Sequence, residues 1–541
     1  MTLLPRPYSI FFACLLLSSS VRTTAPQLGA TLGDWLGNAW QSTVIIDAGS
    51  TGSRIHIYQY KASKAGLAIV QRPVSSLKVT PGLSAYAGQP ENVGASLAPL
   101  LEYAYKQVPV HQHILTEVHL FATAGFRVLA PRPAADLINS CRDLLAASRF
   151  KFRDEWASVM SGPSEGVFGW VAANYASGAL QGYALKQGLR LRRHTKPSAP
   201  FVGVFELGGA SAQVTFCPDV PTRAADNVQL LRLPTLQLPL YTHSFLGFGQ
   251  EAALTLASTA AVSMRLQESA NALNTDAGEE ARDPCLPLGY SRTAPTGTVI
   301  GSGNFEECRA IAKGLIAGQC QEELCPIGDS MPVELQGPFI AMENFHYTAQ
   351  FLGLPVQPTL DEIAVAGQRH CALAWPALQQ THGTNVSADH LLHFCFSAAY
   401  IVALLHDGFK LGMHERRLRF TNYVEDPQGR STDIDWTLGA VVVQTALVQA
   451  SAADRRSFLQ PYDHALHSGD GSAFEHSLAF LVLVGFVAAL AVRLVARSHW
   501  LRRMLRKHAG GTQALTLFEK CVDYFSESGQ SRSPRRTSKP G

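Results

Sequence analysis

The chain carries the same short phrase twice, and that repeat constrains its fold more than any other feature. Val44 to Ser53 reads VIIDAGSTGS and leads into the alternating run Arg54-Ile55-His56-Ile57-Tyr58. About 160 residues later, Val204 to Gln213 reads VFELGGASAQ and leads into Val214-Thr215-Phe216. Each phrase reads as an apolar strand ending in one acid, then a tight Gly/Ser turn, then a second strand. Glycine lacks a Cβ, so such a turn can press its backbone against an oxyanion. Successive N–H groups in the turn form an anion-binding nest. The hydroxyls of Ser50, Thr51, Ser53 and Ser211 add donors. Asp47 and Glu206 stand at the same offset in the two phrases. A carboxylate there can hold a hydrated divalent cation that bridges to phosphate oxygens. A single copy would still leave room for a plain Gly-rich hairpin. Two copies predict two phosphate clamps facing each other across a cleft.

The 541 residues predict two or more domains. A hydrophobic content of 46% with 16% charged residues excludes a disordered chain and fits a globular body with membrane segments. The formal charge of +3 is unevenly spread, because Arg493 to Gly541 holds eleven Lys and Arg against Glu519, Asp523 and Glu527. The rest is mildly acidic, which argues against nucleic-acid binding. The apolar run Tyr8 to Leu17, followed by small residues to Ala25, predicts a signal peptide or signal anchor over residues 1–25. Ser477 to Val492 is uninterrupted and apolar, and predicts a transmembrane helix over residues 477–496. Arg493 can snorkel to the interface. The positive-inside rule puts the basic tail, 497–541, in the cytosol. The body then faces the lumen or the exterior, at the Golgi or the plasma membrane, on a single-pass chain (two-pass if the first segment is kept). Ten cysteines suit that oxidising side. Cys14 and Cys521 lie in the terminal segments, and the other eight permit four bridges of open connectivity. Asn385-Val386-Ser387 is a glycosylation sequon.

Between the ends, residues 43–162 predict a first lobe with strands at 43–47, 54–60 and 117–123 and helices around 92–107 and 133–147. Residues 163–429 predict a second lobe with the second hairpin and most of the cysteines, and 430–455 a segment that returns to the first. Gln267 to Gly297 is polar and turn-rich, and reads as a surface excursion. Strands and helices in both halves predict an α/β duplicate. Thr123 ends a strand where it can meet a phosphate or a metal-bound water, although the same residues suit a plain strand-to-helix corner. Glu165 stands where a Gly/Pro turn meets a helix. It can take a proton from water there, and the helix dipole alone would also favour an acid. His243 reads as a packed core histidine.

Five stretches, in this order and spacing, resemble the apyrase conserved regions of the nucleoside triphosphate diphosphohydrolase family. They are DAGSTGSR from Asp47, ATAGFR from Ala122, SGPSEGVFGWVAANY from Ser161, ELGGASAQVTF from Glu206, and Asp435-Trp436-Thr437-Leu438-Gly439-Ala440. The resemblance spans about Thr43 to Ala450. It implies two ribonuclease-H-like (actin-like) lobes with a nucleotide in the cleft. Glu165 matches the base that activates water, and Ser211 and Gln213 match the residues that position it. Asp47 and Glu206 match the acids that hold calcium or magnesium through water, with Thr123 close by. Gly49, Ser50, Thr51, Gly52, Ser53 and Arg54, with Gly208, Gly209 and Ala210, match the two phosphate loops. Tyr347 and Phe394 match the aromatics that stack on the base, and Trp436 matches the tryptophan of the last region. The implied bridges are Cys285–Cys308, Cys320–Cys325 and Cys371–Cys395, with Cys141 and Cys217 unmatched.

One residue departs from the family pattern, which has Asp where this chain has Glu206. The implied activity is metal-dependent hydrolysis of the terminal phosphate of nucleoside tri- or diphosphates by direct water attack. A lumenal GDP/UDP diphosphatase and an inactive nucleotide-binding receptor are the alternatives, and a homo-oligomer is left open.

Overall fold

The β-branched run Thr43-Val44-Ile45-Ile46 forms the centre of a strand, β1 (Gln41–Ala48), whose residues are buried from Ser42 to Ile46. Only a strand covered on both faces takes so continuous an apolar run. The structure is a computed structural model that describes residues 39–461 except 62, 64–66, 72–74, 189–200, 219–226, 235, 272–280, 295–296, 320–326, 328–333 and 448–457. The predicted signal, transmembrane helix and basic tail lie outside the described residues.

β1 pairs antiparallel with β2 (Ser53–Lys61), setting Asp47 opposite Arg54. With β3 (Ile69–Val70), β4 (Ser75–Val79), β5 (Glu117–Ala122) and β6 (Ala157–Val159) it builds a six-stranded sheet in the order β3-β2-β1-β5-β6, with β4 also on β2. The second sheet repeats the plan. β7 (Gly203–Leu207) and β8 (Ser211–Phe216) form its central hairpin, with Glu206 opposite Gln213. β9 (Val228–Leu233) and β10 (Leu236–Leu246) extend it on one side.

The stretch Gln267 to Gly297, read as a surface excursion, contributes to a small three-stranded sheet of β11 (Ala281–Asp283), β12 (Ser291–Ala294) and β13 (Gly297–Gly301). The Cys285–Cys308 disulfide ties this sheet to the Phe305–Gln319 helix. Its short, polar strands lack the apolar alternation that marks a strand in sequence. β14 (Phe339–Glu343) and β15 (Leu418–Phe420) complete one edge of the second sheet, β16 (Tyr423–Glu425) pairs with β17 (Ser431–Asp433), and β18 (Leu459–Pro461) closes the other edge on β9. Cys371–Cys395 is also formed, joining the Leu360–Cys371 and Ala388–Val402 helices. The implied Cys320–Cys325 bridge falls outside the described residues. The Cys141 thiol is buried in the first lobe.

Three hydrophobic clusters hold this α/β structure. One packs the Gly94–Gln107 and Pro131–Ala146 helices on the outer face of the first sheet, and another covers the outer face of the second. The third runs from Ile45 and Phe121 of the first sheet to Val204 and Ile340 of the second. Between them stand two helices, Gly162–Ala176 and Trp436–Leu447, buried nearly all round. Small residues on the first helix, Gly166, Gly169, Ala172 and Ala173, allow that burial. Its start is fixed by Ser161, whose side chain accepts from the Ser164 amide at 3.2 Å. The second helix starts on Asp435, whose Oδ1 accepts from the Thr437 and Leu438 amides at 2.8 and 3.2 Å.

Among the described residues one helix is long and apolar enough to cross a membrane, Ala388–Gly408. It is 67% buried inside the body and carries Cys395 of a disulfide, so it is a core helix of the second lobe.

Candidate active site

β1 and β7 each end in a carboxylate, and each is followed by a Gly/Ser turn, so the duplicated phrase delivers two acids and two loops to one place. The cleft between them, about 190 Å³, is lined by Asp47, Thr123, Glu165, Glu206 and Ser211. Gly49, Ser50, Thr51, Gly52 and Arg54 line it from one loop, and Gly208, Gly209 and Ala210 from the other. The loops touch. A Cβ on Gly209 would come within 2.7 Å of Ser50 Oγ and 3.3 Å of Thr51 Cγ2. Ser53 is fully buried at the start of β2 and does not line the cleft.

Glu165 enters on the first turn of the Gly162–Ala176 helix and is buried. Arg127 donates to its Oε2 at 2.8 Å and to Ser211 Oγ at 3.0 Å. Gln213 stands behind, donating to Glu165 Oε2 at 3.1 Å, to Ser211 Oγ at 2.7 Å and to Ser244 Oγ at 3.2 Å. Ser211 Oγ therefore accepts two N–H groups, which leaves its own proton to point elsewhere. Gln213 Oε1 is buried without a partner among the described residues, so it is a ready acceptor. Burial raises the Glu165 pKa, and the Arg127 guanidinium pulls it back down.

The acids outnumber what neutralises them. Glu343 and Asp435 line the same cleft as Asp47, Glu165 and Glu206, against the cations Arg54 and Lys78. Burial, then repulsion from Glu165 and Asp435, holds Asp47 well above the usual carboxylate range. Burial, then Glu165 and Glu343, does the same to Glu206. Burial and Asp435 push Glu343 up to about 7. Asp47 Oδ1 and Glu206 Oε2 are buried and have no hydrogen-bond partner among the described residues. Two orphaned, buried carboxylate oxygens in an all-oxygen donor set fit a hard divalent cation. Among the described residues no three acids, His or Cys converge closely enough to strip one bare, so water would complete its shell.

These shifts carry a pH prediction. Glu343 titrates in the folded chain above its unfolded value, so its contribution to stability is present at low pH and fades as pH rises through about 7. His243 and His370, pushed down to about 4 by burial, act in the opposite sense. Their effect is confined below an unfolded value of about 6.5. In chelator, Tm therefore falls between about pH 6.5 and 7.5. Added calcium or magnesium flattens the fall. A flat Tm in chelator would show that the acids are already neutralised.

A second cavity, about 780 Å³, adjoins the cleft and shares Thr51, Arg54, Lys78, Gly209, Asn344 and Tyr347 with it. Tyr347 and Phe394 both line it. One face of Phe394 is taken, since its ring lies parallel to Phe351 with centroids 3.5 Å apart. Glu251 holds His393 there at 3.3 Å. His243 packs on Phe245 and contacts Asn227 Oδ1 at 3.1 Å, away from the cleft chemistry.

A profile of the GDA1/CD39 (nucleoside phosphatase) family matches residues 38–459. The chain belongs to that family. It is 36% identical over 428 residues to probable apyrase 4 of Arabidopsis thaliana, covering 75% of this chain and 79% of that one. It is 29% identical over 476 residues to ectonucleoside triphosphate diphosphohydrolase 8 of Gallus gallus, covering 83% of this chain and 90% of that one. Among solved structures it is similar to nucleoside triphosphate hydrolases from Neospora caninum, with a TM-score of 0.54 and 15% identity over 80% of this chain and 97% of that one. That likeness shows the shared actin-like fold. As a member of the GDA1/CD39 family, the chain is a nucleotide phosphohydrolase.

Several residues of the cleft were not singled out from sequence. Arg127 sits inside the ATAGFR stretch, and Asp435 opens the last motif, so both were in view without a role. Asp435 Oδ2 lies 3.6 Å from His56 Nδ1. Glu343 carried no signal at all. Its backbone takes φ 58 and ψ −122, an outlier for a non-glycine residue, with its N–H donating to Asn422 Oδ1 at 2.8 Å.

Glu206 stands where the resemblance implies an Asp. Its Oε2 reaches the space over Gly169, where a Cβ would stand 3.0 Å away. Glu206→Asp withdraws the carboxylate by about one carbon–carbon bond, ~1.5 Å. Activity is expected to survive, with a changed ratio of calcium- to magnesium-supported phosphate release. A dead variant would show that the site is tuned around Glu.

Proposed function

We propose that this GDA1/CD39 family member hydrolyses the terminal phosphate of nucleoside tri- and diphosphates by direct attack of water, with a divalent cation, on the lumenal or extracellular side of a membrane. The observation that carries the reading is the Glu165–Ser211–Gln213 cluster, set beside two facing phosphate loops and two orphaned acids.

In this mechanism the loop amides and the hydroxyls of Ser50, Thr51 and Ser211 hold the phosphates. Asp47 and Glu206 would hold the cation through water. When bound, it supplies charge neutralisation for the phosphate oxygens. One proton of the attacking water goes to the Glu165 carboxylate. The other stays on the attacking oxygen, while Gln213 holds Glu165 and Ser211 in place and the Ser211 hydroxyl donates to the water oxygen and fixes a lone pair toward phosphorus. Burial, the larger influence, raises the basicity of Glu165, and the Arg127 guanidinium favours its carboxylate form. Both clamps then stabilise the negative charge that spreads over the phosphoryl oxygens. No covalent enzyme intermediate is required. Tyr347 and Phe394 would receive the base, and residues 477–496 would anchor the chain with the basic tail in the cytosol.

The test is phosphate release by the full chain, purified in detergent and offered ATP, ADP, GDP and UDP with calcium, magnesium or chelator. Cation-dependent release from tri- and diphosphates is expected. Release from diphosphates alone would narrow the activity to a nucleoside diphosphatase, and bound nucleotide without release would overturn the hydrolytic reading. Topology is tested separately in sealed vesicles, where protease added outside should spare the body and remove the tail. Complete digestion of the body would reverse the assignment.

A further inference from the structure

The cavity beside the cleft has two distinct ends. Thr51, Arg54 and Lys78 form the end shared with the phosphate loops. Phe394, His390 and the tripeptide Asn385-Val386-Ser387 form the other. That tripeptide is the sequon noted in the sequence. A nucleotide whose phosphates lie in the loops extends toward it, ribose first and base last.

The turn that carries Asn385 is exposed and locally well held. The Trp375–His382 helix ends at His382, whose carbonyl accepts from the amides of both Asn385 and Val386 at 2.9 Å. Ser387 then caps the next helix, its Oγ accepting from the His390 amide at 3.4 Å. The tripeptide is thus fixed between two helix ends. Its asparagine is exposed and lines the cavity together with Phe394 and the exposed Tyr347.

We propose that Asn385 is N-glycosylated and that the glycan crowns the base end of the nucleotide site, admitting nucleotides with plain bases and excluding those with bulky base substituents. The inference rests on the reading that the body faces the lumenal side and that the base occupies this cavity. The attachment needs a lipid-linked oligosaccharyl diphosphate as co-reactant. The Asn385 amide nitrogen bonds to the anomeric carbon, the anomeric C–O bond breaks, the lipid diphosphate leaves and the amide loses one proton. A branched oligosaccharide on the rim occupies the solvent into which a base substituent would have to project. Nothing in the phosphate loops or the Glu165 cluster touches it, so the chemistry on a plain nucleotide is left alone.

The experiment uses the full chain made in a eukaryotic secretory host, beside an Asn385→Gln variant and wild-type chain deglycosylated enzymatically after folding. Each is given ATP and an ATP analogue with a bulky fluorophore on the exocyclic amine of the base. An endoglycosidase should lower the mass of the wild type and not of Asn385→Gln. Both glycan-free forms should gain several-fold in the ratio of kcat/KM for the analogue to kcat/KM for ATP. Ser387→Thr keeps both the sequon and a capping hydroxyl, and should behave as wild type. No endoglycosidase shift in the wild type overturns the proposal, as does a shift accompanied by equal analogue turnover in all forms. A glycosylated wild type that hydrolyses neither nucleotide overturns the hydrolase reading, and this inference with it.

Discussion

Glu165→Gln is expected to stop turnover while leaving nucleotide binding intact. The substitution keeps the shape of the side chain and keeps an oxygen able to accept from Arg127, which now donates at 2.8 Å. It removes the charge that, on the proposed mechanism, takes the proton from water. Removing a general base typically lowers kcat by about 10²–10⁴-fold, and among the described residues no other carboxylate accepts from Gln213. Two measurements check it: phosphate release, and the Kd of a non-hydrolysable nucleotide, which should be unchanged. In the wild type the acid limb of the rate profile should lie above the usual Glu range, because burial is the largest influence on this group. Retained turnover in the variant would remove Glu165 from the base role.

The second large effect is expected far from any phosphate. Gly439 lies where the Trp436–Leu447 helix crosses the Gly162–Ala176 helix. A Cβ there would stand 1.8 Å from the Phe168 carbonyl oxygen and 2.6 Å from its carbon. These are backbone atoms, so no rotamer change relieves the clash, and the two helices must part. Overpacking in a buried core costs about 1–3 kcal/mol and occasionally more, and Gly439→Ala should sit at or beyond the top of that range. Glu165 rides on one of these helices and Asp435 caps the other, so kcat should fall together with Tm. Gly314 is the control. It lies in the Phe305–Gln319 helix with nothing within 4 Å of its would-be Cβ. Gly314→Ala should be neutral or stabilising by up to ~1 kcal/mol. Equal melting of the two variants would show that the crossing is looser than its geometry indicates.

The central strands were legible because their pattern is local. The runs at 43–47 and 54–60 predict β1 and β2, and the structure extends each by only one or two residues at either end. The duplicated acids were legible for the same reason: Asp47 and Glu206 need only a strand and a turn to place them. What stayed hidden depends on distant partners. Arg127 is an ordinary cation until folding brings Glu165 and Ser211 to it, 38 and 84 positions away. The loops themselves are braced from elsewhere, since a Cβ on Gly82 would meet Gly49 O at 2.4 Å and one on Gly249 would meet Ala210 N at 2.3 Å. Neither glycine belongs to a recognisable phosphate motif. Glu343 owes its place to an unusual backbone conformation that no propensity foretells.

The continuous core between the sheets has a mechanical meaning. Because the same cluster joins Ile45 and Phe121 to Val204 and Ile340 through two crossed helices, the molecule has a spine, and the cleft is the open edge of a book bound along it. Glu165 belongs to that spine, while Ser211 and Gln213 belong to a strand packed on it, so turning the pages hardly disturbs their contacts. The two Gly/Ser loops lie at the fore-edge, touching at Ser50 and Gly209, where a small rotation changes their separation most. On the proposed hydrolytic reading, opening would therefore release phosphate without dismantling the Glu165 cluster.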